Sequence, residues 1–324
     1  MRRRTAIVAA VPLLLAAACG TAQKTATSAS PASAASAASA ASASGIKVTG
    51  DAGKKPTVTF PAGKPALTSS SQKVLEGQGA PAKDGDVLAA KVTVYNWDGK
   101  ENKSPGSDYD QGKSEFVTVN PQLPKALHDA LVGAKPGGRV LAVIAKDNLS
   151  PDQVTQAKQQ GTDFTTSSQV LVVDVVSAAA KAAQGAATDP GVAGVKLDNP
   201  GGDKAPTLTT KTDAKAPKGL VVKTVIKGSG PAVKADQTIL AHYTGKIWGT
   251  DKQFDSSWER GEPATFALNQ VVKGWSQGLT GVPVGSRVLI TIPPDLGYGK
   301  EGNAQGGIKG TDTLVFVVDV LAAA

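Results

Sequence analysis

The chain repeats itself, and that limits what it can fold into more than any other feature. Gly45-Ile46-Lys47-Val48 returns as Gly194-Val195-Lys196-Leu197, and Pro56-Thr57-Val58-Thr59 as Pro206-Thr207-Leu208-Thr209. Gly77-Gln78-Gly79 matches Gly228-Ser229-Gly230, and Gly138-Arg139-Val140-Leu141 matches Ser286-Arg287-Val288-Leu289. Val172-Val173-Asp174-Val175 matches Val317-Val318-Asp319-Val320. Order is kept and spacing nearly so, which marks a duplicated domain. The boundaries fall at 45–177 and 194–324, with the Ala/Gly-rich stretch 178–193 as linker. A length of 324 residues suits two modest domains plus connectors.

Within the second copy the pattern is strand-rich. Leu220 to Ile226 alternates apolar and polar before a turn at Lys227 to Pro231. Gln237 to Trp248 and Ala264 to Leu268 read as strands, as do Arg287 to Ile292 and Thr313 to Leu321. Val271, Val272, Trp275 and Leu279 have helical spacing and predict one short amphipathic helix. The expectation is an α+β fold in each copy: a twisted antiparallel sheet with one short α-helix covering a face.

The N-terminus reads as a targeting segment. Met1-Arg2-Arg3-Arg4 is basic, and Ala6 to Leu15 is apolar but too short to span a bilayer. Ala16-Ala17-Ala18 then precedes Cys19, the one cysteine of the chain. This resembles a bacterial lipoprotein signal over residues 1–19, with Cys19 as the lipidated residue. An ordinary secretory signal with A-x-A cleavage is the alternative. Residues 20–44 are mostly Ala, Ser and Thr and predict a flexible tether. As a coil it would reach roughly 25–30 Å. The predicted location is the outer face of the bacterial cell membrane.

A net charge of +8 comes from scattered lysines, not from a basic run, so it argues for solubility and against nucleic-acid binding. One cysteine and two distant histidines, His128 and His242, provide no metal-ligand set. No metal or cofactor is expected.

Five motifs in the second copy carry a specific resemblance: His242-Tyr243-Thr244-Gly245, Lys252 to Ser257, Val271-Val272-Lys273-Gly274-Trp275, Pro294 to Gly299, and Thr313-Leu314-Val315-Phe316. Together, in this order, they resemble the FKBP-type peptidyl-prolyl cis-trans isomerases over nearly all of 220–321. The resemblance implies an apolar pocket between sheet and helix. It implies catalytic roles for Tyr243, Phe254, Asp255, Trp275, Tyr298 and Phe316, with Trp275 as pocket floor. It implies substrate contacts from Val271, Val272 and Ile308, through the backbone N–H of Val272 or Ile308. It further implies proline-containing polypeptides as substrates and macrolides as ligands. Two departures bear on pocket width: Ala264 stands where the family has a phenylalanine, and the loop 300–309 is longer and lacks a histidine.

The first copy keeps the apolar periodicity and loses the pocket residues. Val92 aligns with Tyr243, Leu127 with Trp275, Leu123-Pro124 with Val271-Val272 and Leu171 with Phe316, and Ser150 falls near the Tyr298 position. A degenerate FKBP-like domain is expected at 45–177, with 98–112 as a polar surface insertion. The function implied for the whole is prolyl isomerisation on exported or cell-envelope proteins. A non-catalytic lipoprotein that grips proline segments is the competing reading.

Overall fold

The computed structural model describes residues 40–41 and 44–324. Two units divide between Ala178 and Ala179. Residues 1–19, Cys19 included, and almost all of the tether lie outside the described residues. Ala40–Ala41 of that tether forms a short strand, β1, paired with β2 (Lys47–Thr49). No described helix is long and apolar enough to cross a membrane.

The first unit continues with β3 (Thr57–Thr59), β4 (Ser70–Leu75), β5 (Val87–Trp97), β6 (Gly106–Ser107) and helix α1 (Asp108–Gln111). Then come β7 (Glu115–Thr118), α2 (Lys125–Leu131), β8 (Arg139–Ile144), α3 (Pro151–Gln159) and β9 (Ser168–Ala178). Its sheet has the order β4-β8-β9-β5-β6, with β7 also on β5.

The second unit has β10 (Lys196–Asp198), β11 (Thr207–Thr209), β12 (Val221–Ile226), β13 (Thr238–Ile247), β14 (Gln253–Ser256) and β15 (Ala264–Ala267). Helix α4 (Lys273–Leu279), β16 (Arg287–Ile292) and β17 (Leu314–Ala323) complete it. The sheet order β12-β16-β17-β13-β14, with β15 on β13, repeats that of the first unit. Every pairing is antiparallel. The fold is α+β in both units.

Strands β16 and β17 are buried at almost every residue, more than a sheet covered on one face requires. Alternate residues serve two different cores. Val288, Ile290, Ile292, Leu314, Phe316 and Val318 join the cluster under α4. Leu289, Val315 and Val317 pack instead with Val195 and Leu208 of the β10–β11 hairpin region. The first unit is built likewise, with Leu141, Val143, Val170 and Val172 packed against Ile46 and Val48. Each repeat therefore carries a small hairpin on the outer face of its sheet.

Helix α4 approaches the sheet closely because its contact face is glycine. A Cβ on Gly274 would lie 2.5 Å from the Ile292 side chain, and one on Gly278 3.3 Å from Ile290. Glycine lowers helix propensity by about 1 kcal/mol per residue. Packing of Trp275 and Leu279, both buried, offsets it.

Three expectations are refined. The stretch 178–193 packs as well as links: Ala182 and Ala183 are buried, and Thr188 N–H bonds Val225 O at 2.8 Å. The first unit has α1 and α3 in addition to the anticipated helix. The insertion 98–112 is not merely surface, since it provides β6 and α1. Buried Ser107 bonds Thr93 there (2.7 Å), and Asp108 accepts from Val92 N–H (2.8 Å).

Candidate functional site

Strand alternation brings Tyr243 of β13 and Phe316 of β17 to the face under α4. Trp275, in the first turn of that helix and 3% exposed, meets both edge-on, with ring centroids 5.5 and 5.4 Å away. Phe254 of β14 packs edge-on to Phe316 at 5.4 Å. Gly245 permits this, because a Cβ there would lie 2.6 Å from the Phe254 ring and 2.8 Å from Phe316. Val271, Val272 and Ile308 pack against the same cluster.

The polar groups are few. The Tyr243 hydroxyl donates to Asp255 Oδ2, and Arg260 pairs with Asp255 Oδ1. Arg260 Nη2 also reaches Tyr243 Oη at 2.9 Å. Burial, then the Asp255 contact, pushes the Tyr243 phenol up to about 12. Burial raises Asp255, but the Tyr243 hydroxyl and Arg260 outweigh it and leave the carboxyl below its ordinary value. Asp255 is thus an anion at neutral pH, committed to Tyr243 and Arg260.

Three donors at this site have no hydrogen-bond partner among the described residues. Val272 is the residue before α4, and its N–H has no partner. Tyr298 is 37% exposed and its hydroxyl is unpartnered. The Trp275 indole N–H is buried without a partner. Ile308 does not keep a free N–H, because it donates to Asn303 O at 2.9 Å while Asn303 N–H returns to Ile308 O at 2.8 Å. Of the two backbone donors anticipated, only Val272 is available.

Two residues escaped the sequence reading. Phe266 lies edge-on to Trp275 at 4.7 Å and to Tyr243 at 5.3 Å. It sits two positions along β15 from Ala264, on the same face, so period-two alternation could have found it. Arg260 is the other, in a stretch between strands without periodicity.

In the first unit the matching space is filled. Phe164 is buried in one apolar cluster with Leu123, Leu127 and Leu171, and Val92 and Leu149 pack against it. Val94 stands at the register position of Gly245, opposite Leu171 as Gly245 is opposite Phe316. Ser150, near the Tyr298 position, caps helix α3.

A sequence model described as FKBP-type peptidyl-prolyl cis-trans isomerase matches residues 230–321. An FK506-binding protein of Streptomyces anulatus is 43% identical over 108 residues, which are 33% of this chain and 87% of that protein. A probable FK506-binding protein of Corynebacterium glutamicum is 40% identical, over 33% of this chain and 90% of its own. The FKBP-type isomerase FkpA of Escherichia coli is 42% identical over 32% of this chain and 37% of its own length.

Proposed function

Because this chain belongs to the FKBP-type peptidyl-prolyl cis-trans isomerase family, we propose that its second unit isomerises X-Pro bonds over Trp275. The observation that carries this is the aromatic enclosure of Trp275 by Tyr243, Phe266 and Phe316. Rotation about an X-Pro amide faces a barrier of about 18–20 kcal/mol, because the planar form is stabilised by resonance. Twisting reduces that resonance and the polarity that goes with it. An apolar aromatic box receives the twisted amide better than the planar one, which is differential binding of the transition state. No covalent bond breaks, so the chemistry needs neither nucleophile nor metal.

The remaining roles follow from the open donors. Val272 N–H holds a substrate carbonyl, and the Tyr298 hydroxyl meets the carbonyl of the turning amide. Phe254, Val271 and Ile308 wall the pocket. Asp255, held by Arg260, fixes the Tyr243 ring and presents a carboxylate at the pocket edge.

The substrates are proline-containing segments of exported or cell-envelope proteins. Lipidation at Cys19 places the enzyme on the outer face of the cell membrane. Macrolides of the FK506 type compete for the pocket, as the names of the relatives suggest. The test is cis-to-trans conversion of an X-Pro peptide by protein comprising residues 20–324. Acceleration abolished by the macrolide supports catalysis at Trp275. No acceleration from folded protein would move the reading to non-catalytic capture of proline segments.

A further inference from the structure

The matched family region begins at residue 230, yet the hairpin β10–β11 lies before it and is folded onto the same unit. We propose that this hairpin sets the pocket wall at Ile308, acting through the β13–β14 turn and the latch residue Lys252.

The path is a continuous set of hydrogen bonds. Thr210, fully buried just past β11, donates from N–H to Asp251 Oδ1 at 2.8 Å and from its hydroxyl to Ile247 O at 3.0 Å. Gly249 N–H returns to Thr210 O at 2.8 Å, and Trp248 Nε1 donates to Ala214 O at 2.9 Å. The turn is thus tied to the chain that leaves the hairpin. It is also a defined conformation: Asp251 has φ +59, and its carboxylate takes Lys246 Nζ at 3.0 Å. Aspartate tolerates left-handed backbone in turns, and here the carboxylate contacts with Thr210 N–H and Lys246 Nζ hold it there. The next residue is Lys252, whose backbone is fixed by Ile247 N–H to Lys252 O at 2.9 Å and by Lys252 N–H to Thr250 Oγ1 at 3.1 Å.

From this anchored base Lys252 Nζ reaches the loop 300–309 and donates to Gly307 O at 3.0 Å. The fit is close, because a Cβ on Gly307 would lie 2.3 Å from that ammonium. Gly307 immediately precedes Ile308, which is buried against the Trp275 cluster and paired with Asn303. Lys252 touches no reacting atom. It is a positioning residue that keeps the wall in place before substrate arrives, and preorganisation of that kind raises turnover without adding a contact.

The rate readout rests on the isomerase reading above, so the experiment includes one that does not. Protein of residues 20–324 is compared with Lys252→Met, Lys252→Arg and Asp251→Gly, the last keeping the backbone freedom that φ +59 requires. Amide exchange at Asn303 and Ile308, kcat/KM on an X-Pro peptide and Tm are measured for each. Loss of one charge-assisted hydrogen bond predicts roughly three- to tenfold faster exchange at those two amides in Lys252→Met. It predicts a fall in kcat/KM of about the same factor. Tm stays within about a degree or two, since the bond is at the surface. Lys252→Arg keeps a donor and recovers most of the loss, and Asp251→Gly reproduces Lys252→Met. Unchanged exchange at Asn303 and Ile308 in Lys252→Met overturns the latch. Unchanged exchange in Asp251→Gly alone overturns the part given to the hairpin. An inactive wild type defeats the isomerase reading, and the exchange data still decide the latch.

Discussion

Arg287 donates from Nε and Nη2 to the two carboxylate oxygens of Asp319 at 2.6 and 2.7 Å, and both side chains are buried. Its third nitrogen reaches Asn199 Oδ1 at 2.9 Å, just beyond β10. Arg139 and Asp174 repeat the pair in the first unit, but with a single ionic contact at 2.8 Å. There the other guanidinium nitrogens go to Gly50 O, Asp51 O and Lys54 O, in the turn between β2 and β3. Both pairs pin a hairpin turn to a sheet. Removing one partner of a buried pair costs about 3–5 kcal/mol, because the other charge is left uncompensated. Asp319→Asn is expected to fall in that range. Asp174→Asn is expected to cost about 1–2 kcal/mol less, since three backbone carbonyls still face Arg139. Urea unfolding of the two variants compares them directly, and equal losses would contradict this difference.

His242 gives the second unit a pH dependence. Its ring stacks on Trp258 with centroids 3.8 Å apart, and Nδ1 meets Ser257 Oγ at 3.0 Å. Burial, then the charge of Arg287, lowers it to about 4. The unfolded chain takes up this proton near the ordinary value of about 6.5. Stability from the neutral ring is therefore full above about 6.5 and is lost as pH falls towards 4, where the folded ring also protonates. The loss reaches up to about 3 kcal/mol. His242→Gln should show a smaller drop between neutral pH and pH near 4, measured by denaturant titration. A variant curve parallel to wild type would remove His242 as the cause.

Leu127 at the Trp275 position of the first unit shows that this sheet and helix fold with leucine at the floor. Trp275→Leu is therefore expected to leave a folded protein. The three edge-on ring contacts to Tyr243, Phe266 and Phe316 are lost with the indole. If those contacts shape the site for the twisted amide, kcat/KM falls by roughly tenfold or more. Circular dichroism with the peptide assay tests both halves, and full activity in a folded variant would displace Trp275 from the site.

The strands, the short helix and the aromatic group were legible in the sequence because each depends on local periodicity and on motifs in order. Matching Arg139 with Arg287, and Asp174 with Asp319, was also visible as repetition. Their role was not, since it arises only when a hairpin turn distant in sequence closes over the sheet. Near-continuous apolar runs such as Leu314 to Val318 carry a sign of two-sided burial, but the residues that cover the second face lie far away in sequence. Helix α3 was missed because its residues are mostly polar. Its local signal is the Ser150–Gln153 capping box with Pro151 at the first turn. The closed Asn303–Ile308 bridge could not be read from composition, because backbone pairing within a loop leaves no residue pattern.

Phe266 tests how the pocket compensates for Ala264. Both side chains lie on one face of β15, opposite Ile239 and Ala241 of β13. Alanine at 264 leaves that wall short, and Phe266 supplies the ring that meets Trp275 at 4.7 Å and Tyr243 at 5.3 Å. Edge-to-face pairs contribute about 0.5–1.5 kcal/mol beyond area burial. Phe266 is only half-buried, so Phe266→Ala should destabilise the unit by no more than about 2 kcal/mol. Its effect on turnover should be larger in proportion, because both the indole and the phenol lose their lateral support. The expected fall in kcat/KM is about three- to tenfold. Ala264→Phe in the same background should recover part of it if the wall, not the particular residue, is what matters. Recovery absent from a folded double variant would show that position 266 alone orients Trp275.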